Sequence, residues 1–319
     1  MAATLNPQIA ALLDKFREMR GKPVHEMSPR EARFAGWAWK YLMGDPEPVA
    51  DVAYHFVPGP TADLPARIYR PDGLTEEPAP ALIYFHGGGF VLGNIEICDP
   101  FCRSLANRTG CVVISVNYQK APEHRFPTAV EDCYAAAAWV FHWADTLKID
   151  PQRIGISGDS SGGNLAAAVT IKARDAGGPQ FAWQMLAYPA LRGTADSPSA
   201  TEYASGYTLE RAGMEYFWSN YVNSPADAGN PLCAPLSSTS LAGLPPALIV
   251  CAQFDPLLDD GRDYAARLAA DGVPVELLVY EDMTHGFLWM AGQVERTNEA
   301  LDAIGNAARN ALARAGTAD

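Results

Sequence analysis

No run of about 18 apolar residues occurs anywhere in the chain, so nothing in it reads as a membrane-spanning helix. Cations are scarce: 24 Lys and Arg stand against 37 Asp and Glu, for a formal net charge of −13 and a pI near 4.9. Such a surface repels phosphate backbones and anionic lipid, which argues against nucleic-acid and membrane partners. Cysteine is sparse and unpatterned. Cys98, Cys102, Cys111, Cys133, Cys233 and Cys251 include no C-x-x-C pair, so they read as reduced, buried hydrophobes. Cys98 and Cys102 are four apart, yet no other Cys or His stands at metal-site spacing, and no metal or cofactor is expected. The first twenty residues lack the uncharged core of a signal peptide, because Asp14, Lys15, Arg17 and Glu18 interrupt them. A soluble cytoplasmic protein is the resulting expectation. Repeats and low-complexity tracts are missing too.

What is present suits one large core: 319 residues, 48% hydrophobic and only 19% charged. Ile9, Leu12, Leu13 and Phe16 recur at helical spacing within Pro7–Met19. A second helical stretch, Ser28–Tyr41, carries Phe34, Trp37 and Trp39, many aromatics for a surface helix, and is expected to cover something. Further on, short apolar runs alternate with helical patterns. Strands are expected at Ala66–Tyr69, Ala81–Phe85, Cys111–Val116, Ile154–Ser157, Trp183–Tyr188, Ala247–Cys251 and Val275–Tyr280. Helices are expected at Pro127–Trp143, Asn164–Ala176 and Asp260–Ala270. This alternation indicates an α/β fold, a mostly parallel sheet covered on both faces, with ligand sites at the carboxyl ends of its strands. Between Tyr188 and Pro231 the rhythm breaks, and Tyr203, Tyr207, Tyr216, Phe217, Trp218 and Tyr221 crowd together. That segment reads as a lid over a pocket rather than as two more core helices.

Gly158-Asp159-Ser160-Ser161-Gly162 lies between an expected strand and an expected helix. In that setting G-x-S-x-G places a serine on a sharp turn with its hydroxyl exposed above the sheet. The bland alternative is a glycine-rich turn with two capping serines. Ser160 is the central residue and the expected nucleophile. Ser161 follows it and contributes its backbone N–H, whatever its side chain.

A serine hydroxyl needs a base, most often an oriented histidine. Of the six histidines, His285 follows the strand Val275–Tyr280 and precedes Gly286, on a loop at a strand's carboxyl end. His25, His55, His124 and His142 have no such placement. Asp255 follows the strand Ala247–Cys251, whereas Asp259 and Asp260 look like helix-start residues. The order Ser160, Asp255, His285 differs from that of the chymotrypsin and subtilisin folds. A third element, His86-Gly87-Gly88-Gly89-Phe90, directly follows a strand. Three glycines let backbone N–H groups approach a developing oxyanion, each donor contributing roughly 3 kcal/mol. The run is not the dinucleotide fingerprint, since Leu92 stands where its last glycine would fall.

These blocks carry a resemblance. HGGGF at 86–90, NYQKAPEHRFP at 117–127, GDSSGGNLAAA at 158–168, DPLLDDG at 255–261 and HGF at 285–287 resemble, in order, the hormone-sensitive lipase family of bacterial type IV carboxylesterases. The resemblance implies an α/β-hydrolase fold with a helical cap, and catalytic roles for Ser160, Asp255 and His285. It also implies an oxyanion hole at the amides of Gly88, Gly89 and Ser161, supported by His86 and Gly87. The cap would comprise residues 1–45 and 189–225, and the catalytic core 46–188 and 226–319. Ser161 departs from the family, which more often has alanine there.

The expected reaction is hydrolysis of a small-molecule carboxylic ester, of short to medium acyl chain, through an acyl-enzyme. An amidase or acyltransferase would use the same triad. A non-catalytic receptor on this scaffold would lack the histidine that His285 supplies. A homodimer through an exposed sheet edge is a further expectation.

Overall fold

The computed structural model describes residues 3–19, 21–74 and 77–314. Eight strands form one sheet in the order β1-β2-β4-β3-β5-β6-β7-β8. They are β1 (Asp51–Pro58), β2 (Asp63–Arg70), β3 (Ala79–Phe85), β4 (Val112–Val116), β5 (Ile149–Asp159), β6 (Trp183–Ala187), β7 (Ala247–Phe254) and β8 (Val275–Thr284). β1–β2 and β2–β4 pair antiparallel, and every other neighbouring pair is parallel.

The continuous apolar runs of the central strands follow from burial on both faces. In β3, Ala81, Ile83 and Phe85 enter one core while Leu82 and Tyr84 enter the other, as the two-residue period of a strand requires. The first core packs under helices Thr128–His142, Ser161–Ala176 and Leu258–Ala270. The second packs under Asp99–Thr109 and Glu295–Arg314.

The expected α/β architecture is present, and all seven expected strands exist. The eighth, β1, was not anticipated. It is an edge strand with a single neighbour, and its Tyr54 and Phe56 are 66% and 72% exposed. The helix expected at Ser28–Tyr41 is shorter: an α-helix spans Pro29–Ala35 and tightens into a 3₁₀ helix over Gly36–Met43. Ser28 and Glu31 cap its start reciprocally. Trp39 turns inward, but Phe34, Trp37 and Tyr41 face solvent.

The segment between β6 and β7 contains no strand among its described residues; its α-helices are Pro198–Glu202 and Arg211–Tyr221. Of the proposed N-terminal unit, residues 1, 2 and 20 lie outside the described residues. No helix among the described residues is long and apolar enough to cross a membrane. All six cysteines are buried.

Candidate active site

β5 ends at Asp159, and the helix Ser161–Ala176 begins two residues later, so Ser160 carries the whole reversal. Its φ of +54° with ψ −120° is a left-handed conformation that a serine adopts only under constraint, at a cost of about 1–3 kcal/mol. The constraint is close backbone packing. A Cβ on Gly158 would stand 2.2 Å from the carbonyl oxygen of Gly162, and one on Gly162 would stand 2.0 Å from that of Phe85. Only glycine fits at either place. Ser160 N–H donates to Ala187 O at 2.8 Å, anchoring the turn to the end of β6.

β7 and β8 bring the other two residues to it. Their last rung pairs Phe254 with Thr284, so Asp255 and His285 each sit one residue beyond the sheet. His285 Nδ1 is 2.7 Å from Asp255 Oδ2, and Nε2 is 3.0 Å from Ser160 Oγ. A carboxylate only accepts, which assigns the proton to Nδ1 and leaves the Nε2 lone pair facing the serine hydroxyl. Asp255 is 1% exposed; its Oδ1 accepts from Leu257 N–H at 2.8 Å. Tyr188 sets its ring edge-on to His285 at 4.8 Å between centroids.

The glycine run lies against the serine turn. Asp159 joins them: it accepts from Gly87 N–H at 2.8 Å, Tyr84 O–H at 2.5 Å and Trp289 Nε1–H at 3.1 Å. Burial pushes its carboxyl above the ordinary range, against the pull of these donors. The N–H groups of Gly88, Gly89 and Ser161 have no hydrogen-bond acceptor among the described residues. His86 braces the run from behind. Its Nδ1 meets Gly87 O at 2.8 Å, its ring stacks on Tyr118 at 4.5 Å, and Tyr118 O–H donates to His86 O at 2.8 Å. Burial, aided by the charge of Lys120, lowers His86 to about 3.

The structure therefore brings together Ser160, Asp255 and His285, with His86, Gly87, Gly88, Gly89 and Ser161 alongside. Asp259 and Asp260 fall in the first turn of helix Leu258–Ala270, as their sequence positions suggest. Asp159, Tyr84 and Trp289 were missed. A carboxylate at the buried end of an apolar strand was the available signal. A cavity of about 460 Å³ is lined by Gly93, Asn94, Asn117 and Lys120 but not by Ser160. Geometry at Ser160, not cavity size, locates the site.

A family model described as the alpha/beta hydrolase fold matches residues 82–289, which takes in every element of this site. The chain belongs to the alpha/beta hydrolase fold family. Among similar proteins, the carboxylic ester hydrolase LipN of Mycobacterium tuberculosis is 40% identical to this hydrolase, over 82% of the chain and 72% of LipN. An ethyl acetate hydrolase of Pseudomonas putida is 36% identical, over 93% of the chain and 96% of that protein. The solved structure of an ester hydrolase from the metagenome of Lake Arreo, complexed with a bipyridine phosphonate derivative, superposes with a TM-score of 0.93. It is 38% identical and covers 98% of this hydrolase and all of that chain (100%). With these relatives, the hydrolase is a serine carboxylic ester hydrolase of the bacterial branch that resembles hormone-sensitive lipase.

Proposed function

We propose that this hydrolase cleaves short- to medium-chain acyl esters through an acyl-enzyme on Ser160. The alignment of Ser160 Oγ, His285 and Asp255, at 3.0 and 2.7 Å, carries the reading. Ser160 Oγ attacks the ester carbonyl carbon as its proton passes to His285 Nε2, and Asp255 stabilises the imidazolium and keeps its orientation. The carbonyl oxygen becomes an oxyanion, for which the free N–H groups of Gly88, Gly89 and Ser161 are the proposed donors. Collapse breaks the bond to the leaving oxygen, which takes the proton from His285. A water, deprotonated by His285, then attacks the acyl carbon, releases the carboxylic acid and restores Ser160.

Residues 1–45 and 189–225 are proposed as a cap. Trp39 lies against Gly286, where an added Cβ would be 3.0 Å from its ring, and Phe217 occupies the space a Cβ on Gly89 would need. Trp39 thus adjoins the residue after His285 and Phe217 adjoins the glycine run, and in this reading both limit the room for an acyl chain. Similarity to an ethyl acetate hydrolase along nearly its whole length agrees with small substrates.

Ser160→Ala tests the core of the reading with p-nitrophenyl acetate to p-nitrophenyl palmitate. It is expected to remove at least about a thousandfold of kcat while the protein melts as a folded unit. In the wild type, kcat/KM is expected to peak at or below about eight carbons. Near-normal turnover by Ser160→Ala would end the nucleophile assignment, and a preference for palmitate would end the chain-length assignment.

A further inference from the structure

The cap-side hydroxyl of Thr208 meets the catalytic loop. Its Oγ1 donates to the carbonyl oxygen of His285 at 2.6 Å and lies 3.2 Å from Thr284 Oγ1. Thr284 Oγ1 in turn donates to Phe254 O at 3.0 Å. These contacts straddle the last rung of the β7–β8 ladder, Phe254 opposite Thr284, immediately before Asp255 and His285 leave the sheet. Neighbours of Thr208 grip the end of β7: Tyr207 stacks on Phe254 at 5.6 Å, and Tyr203 Oη accepts from Gln253 Nε2 at 2.7 Å. Beyond His285, Gly286 turns with φ +74°, and Trp39 closes on it from the N-terminal segment.

We propose that Thr208 is a positioning residue for the reaction: its hydroxyl holds the His285 backbone and so keeps the imidazole in line between Asp255 and Ser160. This inference rests on the triad reading above. The imidazole hangs from a loop one residue past the sheet, where the ladder no longer restrains the backbone. A short hydrogen bond to the carbonyl of that same residue supplies restraint the sheet does not. Its donor belongs to the inserted segment, so any movement of that segment which withdraws Thr208 also slackens the base. The restraint matters because a displacement of about 1 Å at a reacting group can reduce turnover by roughly a hundredfold.

Thr208→Val keeps the side-chain shape and deletes the donor, whereas Thr208→Ser keeps the donor and deletes a methyl. On p-nitrophenyl butyrate, Thr208→Val is expected to lower kcat by about tenfold with KM within about twofold. Thr208→Ser should stay within about twofold of wild type in every constant. Thermal melts report folding separately, and Thr208→Ala carries the same expectation if the valine variant folds poorly. Wild-type kcat in the donor-free variant overturns the inference. Equal damage from Thr208→Ser overturns it too, since packing would then be the cause. If Thr208→Val is neutral while Ser160→Ala is inactive, only this inference falls; if Ser160→Ala stays active, the triad reading falls and this one with it.

Discussion

Asp159→Asn is a change of one atom at the place where two loops share an anchor. The carboxylate receives three donors, Gly87 N–H and Tyr84 O–H at Oδ1 and Trp289 Nε1–H at Oδ2. Asparagine has one oxygen. With that oxygen at Oδ1, its amide group faces the Trp289 N–H; flipped, the amide faces the Gly87 N–H instead. Either orientation sets donor against donor, and the residue is only 5% exposed, so water offers little relief. An orphaned buried donor costs about 1–3 kcal/mol, and replacing a charged acceptor by a neutral one at the remaining bonds costs about 1 kcal/mol more. Stability is expected to fall by about 2–4 kcal/mol in total, read as a lower urea midpoint at unchanged slope. Because Gly87 heads the run whose amides are the proposed oxyanion donors, kcat on p-nitrophenyl acetate should fall by about ten- to a hundredfold with KM little altered. A variant that loses stability but keeps wild-type kcat would refute the reasoning, since the anchor would then serve the fold and not the oxyanion.

Two more expectations follow from buried polar atoms. The Ser161 hydroxyl is buried without a hydrogen-bond partner in the described residues, so Ser161→Ala should leave kcat within about twofold and raise stability by about 0.5–1 kcal/mol, checked by urea unfolding. His86 is held at about 3 against an ordinary 6.5, so as pH falls the unfolded chain takes up this proton before the folded one does. Its contribution is complete above about pH 6.5 and is lost progressively down to about 3, a span worth roughly 5 kcal/mol. Unfolding midpoints measured from pH 7 to 4 should decline in the wild type, with that decline reduced in His86→Gln.

The parts of the site legible in the sequence are those fixed by local chemistry. A serine between glycines at a strand-to-helix junction, a glycine run after a strand, and an Asp and a His after later strands need only strand ends to be located. The strand ends were legible because β3, β4 and β6 are buried on both faces and read as mostly apolar runs. β1 escaped although Val52–Val57 is apolar but for His55; it is an edge strand, and its Tyr54 and Phe56 are exposed. The 3₁₀ tightening after Ala35 and the outward turn of Phe34 and Tyr41 depend on what the segment packs against, and residue types do not carry that. Thr208 was invisible for a similar reason: it acts on a carbonyl 77 positions away, through a contact that exists only once the inserted segment folds back.

The six thiols have a practical consequence. Burial suppresses ionisation of the Cys102, Cys133 and Cys251 thiols and pushes that of Cys233 up to about 12, and thiolate is the form that alkylating reagents attack. The native enzyme therefore presents a silent background to maleimides. A single cysteine introduced on the surface would be the reactive one, available for tethering to a resin or a dye. Modification of the native six would in turn register opening of the cores and serve as a chemical clock for unfolding.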